Sequence, residues 1–275
     1  MSLLQALVLG AVQGATEFLP ISSSGHLALG QYIAPGISQH FLLFEVVVHL
    51  GTLCAISWVL RARIRALVRA ALSWLPGAAQ GESAAEIETL RADRHWVRLI
   101  LIASVPTALI GLLLKARVEQ MTQEPAAVGV ALLCTALILV LSERIGSRER
   151  GAGSLRALDA LLIGSTQGLA VIPGISRSGA TIGLALCRGV SAEVAVEFSL
   201  LISLPAVLGA SALIAIESLP TAASADLGAL GVGFLAAFGT GIVALNTLRW
   251  AVTQRKLLPF GAYCGVVGAG AIALG

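Results

Sequence analysis

The sequence predicts an all-α polytopic membrane protein made of two inverted-topology repeats, each a re-entrant helix–loop–helix hairpin followed by three transmembrane helices. Composition is the first reason, because 57% of the residues are hydrophobic and only 12% are charged, whereas soluble domains carry about 25% charged residues. The second reason is a serine-rich motif that occurs twice, as ISSSGH at residues 21–26 and as ISRSGA at residues 175–180. The same offset, from 21 to 175, also aligns Gln13 with Gln167. Interrupted apolar segments at matching places in two halves point to a binding site between the repeats.

Two apolar stretches, residues 3–34 and 157–190, are interrupted at their serine motifs. A membrane span needs about 20 apolar residues, so each half of these stretches is too short to cross. We predict that both fold as re-entrant hairpins, because irregular backbone in a membrane is tolerated only where protein or a cavity surrounds it. Repeat one then covers about residues 1–145, and repeat two covers about residues 150–275.

Six further segments are long and apolar enough to span a bilayer. They lie at about residues 39–60, 97–115, 126–143, 194–217, 226–248 and 257–275. Residues 61–75 place arginines on one helical face and apolar side chains largely on another, which predicts an interfacial helix. Each repeat then has three spans, and this odd number inverts the second repeat relative to the first.

The distribution of basic residues predicts the orientation. Connections 61–98, 144–156 and 249–256 carry seven, four and three of the 18 lysine and arginine residues, and all three lie on one side of the six-span scheme. That side is cytoplasmic by the positive-inside rule, and the connection at 218–226, which has no basic residue, marks the outer side. The first hairpin then enters from outside and the second from the cytoplasm, so the two serine motifs can meet. The N-terminus has no basic region or small-residue cleavage site, so no cleaved signal peptide is expected.

Gln13 and Glu17 share one face of the first half-helix because they are four residues apart. A charge at the centre of a membrane costs at least about 2.5 kcal/mol, which favours a functional Glu17 over a polar pair that only fixes helix contacts. A single carboxylate beside a phosphate suits a divalent cation, Mg²⁺ or Ca²⁺. Gln13 could add a neutral ligand but no second negative charge.

Ser22, Ser23, Ser24 and Gly25 precede the second half-helix, which should begin among them. One serine is expected as the N-cap, but three exceed what capping requires. Backbone N–H groups at a helix N-terminus, helped by hydroxyl groups, form an anion site. His26 lies in the first turn of this helix, where it could act as a nucleophile or as a general acid/base.

The second motif carries a guanidinium group instead of an imidazole. Arg177 is flanked by Ser176 and Ser178, and a guanidinium binds phosphate bidentately. Inside a membrane it needs an opposite charge, which is either Glu17 in a purely structural pair or an anionic ligand. The ligand is favoured, because the pair alone leaves the serines and His26 without a role.

Glu45 and His49 form another pair four residues apart, in the first predicted span. They either line the cavity of the site or hydrogen-bond each other as a buried pair, and the sequence leaves both open. The four cysteines show no metal-ligand spacing, and the chain carries no nucleic-acid signature.

With these residues in place, the chain resembles the undecaprenyl-pyrophosphate phosphatase family of the bacitracin-resistance type. The resemblance covers essentially all 275 residues and rests on residues 13–26 and 173–181. It implies removal of the terminal phosphate of the C55 polyprenyl diphosphate carrier in the bacterial cytoplasmic membrane, with a divalent cation. It also implies recycling of this carrier for cell-wall synthesis, bacitracin resistance, and an active site open to the periplasmic side.

The resemblance also implies residue roles. The essential positions of the family fall on Glu17, Ser23, His26 and Arg177. The phosphate contacts that the resemblance implies are Ser176, Ser178 and Thr181. The two serine motifs add Ser22, Ser24, Gly25 and Gly179 as expected phosphate contacts. Many members have a glutamate where this chain has Gln13, which weakens any metal site with two carboxylates. His26 and Ser23 both remain candidates for the nucleophile.

The rival interpretation is a flippase or secondary transporter of an anionic polyprenyl lipid, because inverted repeats and broken helices aimed at an anion are transporter features. A histidine beside the serine loop is unnecessary for anion binding alone, and this favours an enzyme. The expected partners are a polyprenyl diphosphate lipid and membrane lipid, with no nucleic acid. The sequence leaves open whether the chain forms a homodimer.

Overall fold

The structure, a computed structural model, describes residues 1–33, 41–75, 83–145, 148–218 and 226–275. These residues form helices and no β-strand, apart from an isolated bridge between Arg150 and Val190. The helices are α1 (Leu3–Phe18), α2 (Ser23–Ile33), α3 (Phe41–Val59), α4 (Arg61–Leu72), α5 (Ala84–Thr122), α6 (Pro125–Arg144), α7 (Ala157–Leu169), α8 (Arg177–Cys187), α9 (Ala192–Ser218), α10 (Leu227–Thr253) and α11 (Leu258–Leu274). The all-α prediction is confirmed.

The six predicted spans correspond to α3, α5, α6, α9, α10 and α11. By length and composition, α5, α6, α9 and α10 can cross a membrane, and α3 qualifies together with α4 as a bent pair. Helix α11 is apolar, but its 17 residues reach only about 25 Å, less than the roughly 30 Å of a hydrocarbon core. The multi-pass prediction is therefore confirmed, with four or five spans by this criterion. Of the predicted segments and connections, positions 34, 39, 40, 76–82, 146, 147 and 219–225 lie outside the described residues.

The two interrupted stretches form the predicted helix pairs, α1 with α2 and α7 with α8. These helices have 11 to 16 residues, so the longest reaches about 24 Å. Helix α1 packs chiefly along α10, and α7 packs chiefly along α5. Each hairpin thus lies against the second span of the other repeat, and the two halves are intertwined.

Glycines at aligned positions allow these close helix contacts. A Cβ atom at Gly10 would collide with the backbone of Gly233 on α10, and one at Gly164 would collide with the backbone of Ala103 on α5. Small residues let helices approach at backbone distance, which is the usual basis of helix packing in membranes. The repeated sequence pattern therefore includes the two glycines whose close helix contacts position each hairpin.

Helices α4 and α5 extend the molecule beyond its spans. Helix α4 is turned by 84° from α3, as an interfacial helix would be, and it ends three residues before the predicted 75. Helix α5 has 39 residues, about 58 Å, so it begins well before the predicted span at 97–115. Its polar first turns are held by α4, where Arg63 forms an ion pair with Asp93 and lies 4.8 Å from the Trp96 ring centroid.

The main hydrophobic core lies beneath the hairpin tips, between α3, α5, α8, α9 and α10. Its large fully buried side chains include Phe18, Ile56, Leu99, Ile182, Phe198 and Leu200. The aligned pair Phe44 and Phe198 is buried in both repeats. This core supports the two loops that carry the serine motifs.

Candidate active site where the two hairpins meet

The loops of the two hairpins are in direct contact. The backbone N–H of Gly174 donates to the hydroxyl oxygen of Ser22 at 3.2 Å, and a Cβ at Gly25 would lie 2.9 Å from the Gly174 Cα. Gly174 has a φ of +102°, a conformation that glycine adopts without the steric penalty of a side chain. Thr135 on α6 fixes this loop, because its hydroxyl donates to the Gly174 carbonyl and accepts from the Ser176 N–H, both at 2.9 Å. The predicted meeting of the motifs is present in the fold.

Ser22 and Ser176, which the offset aligns, take the N-cap role in their loops. Each hydroxyl accepts an N–H from the glycine three residues later, Gly25 or Gly179, at 3.2 Å. Ser22 does so with a φ of +70°, a conformation that costs about 1–3 kcal/mol for a non-glycine residue. The remaining serines of the first motif are therefore not needed for capping.

The Glu17 carboxylate joins the two hairpins. Its Oε1 accepts a hydrogen bond from the Arg177 guanidinium, and its Oε2 accepts from the Ser23 hydroxyl at 2.8 Å. The Gln13 amide also donates to Oε2, at 3.0 Å, and His49 Nε2 lies 3.8 Å from the same atom. Only 8% of the Glu17 side chain is exposed. The structure thus brings together three of the four residues expected to be essential.

The repeat pattern makes this site asymmetric. Ser23 and Arg177 occupy aligned positions, each at the start of its second half-helix, and they reach the same carboxylate from opposite hairpins. In the second repeat, valine stands at 171, the counterpart of Glu17, and alanine stands at 180, the counterpart of His26. One repeat therefore supplies the carboxylate and the imidazole, and the other supplies the guanidinium.

His26 is held by partners other than Glu17. Its Nδ1 lies 2.7 Å from the Ser22 carbonyl oxygen, and its Nε2 lies 2.7 Å from the Tyr263 hydroxyl of α11. The two rings are stacked, with centroids 5.5 Å apart and planes 6° apart. The orientation of the imidazole is therefore set by the Ser22 carbonyl and the Tyr263 hydroxyl.

Some expected phosphate contacts are engaged in internal hydrogen bonds. The Ser178 hydroxyl lies 3.3 Å from that of Ser176, and the Thr181 hydroxyl lies 2.6 Å from that of Ser199 on α9. All four of these residues are buried, whereas Ser24 is exposed. Phosphate binding by Ser176, Ser178, Thr181 and Ser24 stays a prediction.

Glu45 and His49 are not joined by their side chains in the described structure. His49 Nδ1 instead lies 2.8 Å from the backbone carbonyl oxygen of Glu45, one helical turn earlier on α3. This contact directs Nε2 towards Glu17. The sequence leaves open whether this pair lines the cavity or only forms a buried pair. The position of His49 beside Glu17 favours a residue that lines the site.

The residues around Glu17 fit a hard divalent cation. Gln13 Oε1 is buried and has no hydrogen-bond partner in the described part of the chain, although it belongs to the amide that contacts Glu17. Carboxylate, amide and hydroxyl oxygens are the ligands that Mg²⁺ and Ca²⁺ prefer. The described residues include no cluster of three or more His, Cys, Asp or Glu side chains, so an ion here would also need substrate oxygens or water.

Sequence reasoning missed Tyr263 and Thr135. Tyr263 is one of only two tyrosines in the chain, and its place in the last apolar segment gave no link to His26. Thr135 lies in an apolar span, where threonine commonly bonds the preceding helical turn. Its actual partners are on the second loop, and a tertiary contact of this kind leaves no local pattern.

Comparison with known proteins gives consistent matches over the whole chain. The family described as "Bacitracin resistance protein BacA" matches residues 6–270. Similar proteins named undecaprenyl-diphosphatase include that of Syntrophotalea carbinolica, 40% identical over 268 residues, covering 98% of this chain and 97% of the relative. That of Desulforapulum autotrophicum is 40% identical over 268 residues, covering 98% and 96%. That of Salinibacter ruber is 38% identical over 269 residues, covering 96% of each chain.

Proposed function

The chain belongs to the bacitracin resistance protein BacA family, and we propose that it is a membrane undecaprenyl-diphosphatase that hydrolyses undecaprenyl diphosphate to undecaprenyl phosphate and inorganic phosphate. The relatives that carry this name cover nearly the full chain. The observation that carries the proposal is the buried Glu17 carboxylate, which contacts Ser23 of one hairpin and Arg177 of the other. The reaction would recycle the lipid carrier for cell-wall synthesis and account for bacitracin resistance.

The enzyme would act in the bacterial cytoplasmic membrane, with its site open to the periplasmic side. The concentration of basic residues in three connections supports this orientation. The exposed apolar side chains of the spanning helices support the lipid environment; they include Leu101, Val105, Leu109, Leu113, Leu137 and Val243.

Arg177 would hold the diphosphate. In the described structure its guanidinium pairs with Glu17, so a bound diphosphate would compete for it with a charge-assisted and bidentate contact. The N-termini of α2 and α8 both begin at the loops in contact, and backbone N–H groups at such ends favour anions. Fixed positive groups around the transferring phosphoryl group are the main source of catalysis in this class of reaction.

The cation would be Mg²⁺ or Ca²⁺, held by Glu17, Gln13 and oxygen atoms of the substrate, where it would neutralise charge on the diphosphate. Gln13 Oε1 supports this assignment, because it is a buried oxygen without a partner among the described residues.

Ser23 is the attacking group that the geometry supports best. Its hydroxyl hydrogen-bonds the Glu17 carboxylate at 2.8 Å, which is the usual arrangement of a nucleophile with its base. Ser23 Oγ would bond to the terminal phosphorus, Glu17 would take the hydroxyl proton, and undecaprenyl phosphate would leave. His26 would then act as general base towards the water that hydrolyses the phosphoserine, and Glu17 would return its proton to Ser23 Oγ as the bond to phosphorus breaks.

Trapping the phosphoenzyme from labelled substrate tests this assignment. An acid-stable phosphoserine at position 23 is expected. An acid-labile phosphohistidine at position 26 would instead make His26 the nucleophile, the alternative that the sequence left open.

Release of inorganic phosphate from undecaprenyl diphosphate, measured with the purified protein in detergent micelles, tests the function itself. Wild-type protein should release phosphate, and Glu17→Gln and His26→Ala should each lower the rate by about 100-fold or more. Tyr32→Phe, on an exposed part of α2, is the matched control and should keep the wild-type rate. A wild-type protein that releases no phosphate in micelles but moves the lipid between the leaflets of reconstituted vesicles would favour the flippase.

A further inference from the structure

We infer that Tyr263 is a positioning residue for His26, which fixes the plane of the imidazole and holds its Nε2 atom until substrate arrives. The consequence for the reaction rate rests on the proposed function. The contact itself can be tested without any activity.

The hydrogen bonds of His26 fix its tautomer. A carbonyl oxygen can only accept, so the 2.7 Å contact with the Ser22 carbonyl requires that Nδ1 carries a proton. In the neutral ring, Nε2 then has no proton and accepts from the Tyr263 hydroxyl at 2.7 Å. The only free lone pair of the imidazole is thus occupied by the phenol.

Stacking adds a second restraint. The ring planes of His26 and Tyr263 differ by 6°, with centroids 5.5 Å apart, an offset arrangement in which the hydroxyl still reaches Nε2. The hydrogen bond to Ser22 and the contact with Tyr263 together hold both ring nitrogens. Orientation of this kind matters for rate, since a misplacement of about 1 Å can cost about 100-fold.

The helix that carries Tyr263 is itself tightly placed. A Cβ at Gly129 on α6 would lie 2.6 Å from the Gly268 carbonyl oxygen on α11, so the two helices are in backbone contact. Next to Tyr263, the buried Cys264 thiol lies 3.6 Å from the carbonyl oxygen of Pro20 in the first loop. Helix α6 also fixes the second loop through Thr135. One helix therefore sets the position of the phenol relative to both loops.

Tyr263 also lies at the accessible edge of the site. The residue is 44% exposed, whereas only 8% of the Glu17 side chain is exposed. A water molecule or phosphoryl group that approaches Nε2 would replace the phenol as its partner. The phenol keeps its proton in this exchange, so only a hydrogen bond is broken and another is formed.

Tyr263→Phe is the informative variant, because it keeps the ring and removes only the hydroxyl, and Tyr32→Phe is the control at the only other tyrosine. With undecaprenyl diphosphate in micelles, Tyr263→Phe should lower kcat about tenfold, part of the 10²–10⁴ that a positioned acid/base contributes, with KM within about twofold. Tyr263→Leu also removes the stacking and should lower kcat further, to about 100-fold. The midpoint of thermal unfolding should fall by no more than about 4 °C in Tyr263→Phe, the effect of losing one hydrogen bond.

The second measurement is modification of His26 by diethyl pyrocarbonate, followed by mass spectrometry of the peptide that contains it. Freeing Nε2 in Tyr263→Phe should accelerate modification by about threefold or more, the effect expected for losing one ordinary hydrogen bond. Equal modification rates in wild type, Tyr263→Phe and Tyr32→Phe would show that the phenol does not hold Nε2, and would overturn the inference. Faster modification with an unchanged kcat would overturn the positioning role.

Failure of the proposed function would look different. A wild-type protein that releases no phosphate contradicts the phosphatase assignment, but the modification rates of His26 still report whether Tyr263 holds its Nε2.

Discussion

Glu17 carries a charge between apolar helices, where an uncompensated carboxylate is costly. The described structure meets this cost with contacts from Arg177, Ser23 and Gln13. Arg177 is also satisfied, because its guanidinium pairs with the same carboxylate. A bound diphosphate would take the guanidinium from Glu17, so the carboxylate would then need another positive partner, the role proposed above for the cation.

Replacement of Arg177 by lysine tests the need for a guanidinium. Arg177→Lys keeps the charge but cannot make two parallel hydrogen bonds to one phosphate, so we expect kcat/KM for phosphate release to fall by about 100-fold. Arg188→Lys is the control, because Arg188 is the C-cap residue of the same helix and pairs with Asp159. Equal rates for the two variants would mean that Arg177 contributes only its charge.

The polar residues of the motifs could be predicted, because a charged side chain is energetically costly inside a membrane and polar residues are rare in these apolar segments. Glu17, Ser23 and Arg177 were found in this way, and the repeat offset indicated that their loops would meet. The partner of His26 could not be predicted, because Tyr263 is 237 positions away and a tyrosine near the end of an apolar segment is ordinary. Pairing of such distant residues is fixed only by the packing of α11 on α6.

At the scale of helices, the aligned glycines determine where each hairpin can lie. Gly164→Val would place its side chain on the Ala103 backbone of α5, and overpacking of this kind costs about 1–3 kcal/mol. We expect a clearly lower midpoint of thermal unfolding in detergent. Gly30→Val on α2 is the control, because nothing lies within 4 Å of its Cβ position. Similar midpoints for both variants would show that the α5–α7 contact is not close.

Asp159, in the first turn of α7, links the two helices of the second hairpin. It lies outside the predicted spans, and its buried carboxylate pairs with Arg150 at 2.6 Å and with Arg188 at the end of α8. Burial alone would raise its pKa, but hydrogen bonds from Arg150, Arg188 and the Arg156 backbone lower the pKa to about 2. The carboxylate thus stabilises the fold fully above its ordinary pKa of 3.8, and this contribution is lost as the pH falls towards 2.

Asp159→Asn leaves two arginines without their counter-charge and should destabilise the protein by about 3 kcal/mol, the typical cost of breaking a buried ion pair. The difference in thermal midpoint between wild type and variant should stay constant from pH 7 to about pH 4 and narrow only below it. A difference that stays the same down to about pH 2 would show that the pKa of Asp159 is not depressed in the folded protein.

Helix lengths were predicted less well than helix positions. The span at 97–115 was identified from its apolar residues, but α5 begins at Ala84, because polar residues continue a helix whenever they find partners. Here Arg63 and Ser73 of the α4 region provide those partners for Asp93 and Arg94. Hydropathy identifies the apolar part of a helix, but it gives no information on how far the helix continues through polar residues.

In the whole molecule, intertwining makes the site depend on both halves. Each hairpin packs on a helix of the other repeat, so neither half can place its loop alone. The sequence divergence between the halves then gives one asymmetric site, with carboxylate and imidazole from the first loop and guanidinium from the second. The predicted inverted arrangement of the two repeats would place their loops face to face, which two parallel repeats would not do.

The orientation of this arrangement can be tested on a single helix. Arg91 and Gln123 are exposed residues at opposite ends of α5, so a cysteine at each must lie on opposite sides of the membrane. With the exposed Cys54 and Cys134 replaced by alanine, Gln123→Cys should react with a membrane-impermeant maleimide in intact cells. Arg91→Cys should react only after permeabilisation, because its end carries the arginine-rich connections. The reverse result would turn the first hairpin towards the cytoplasm, and phosphate release would then occur on that side.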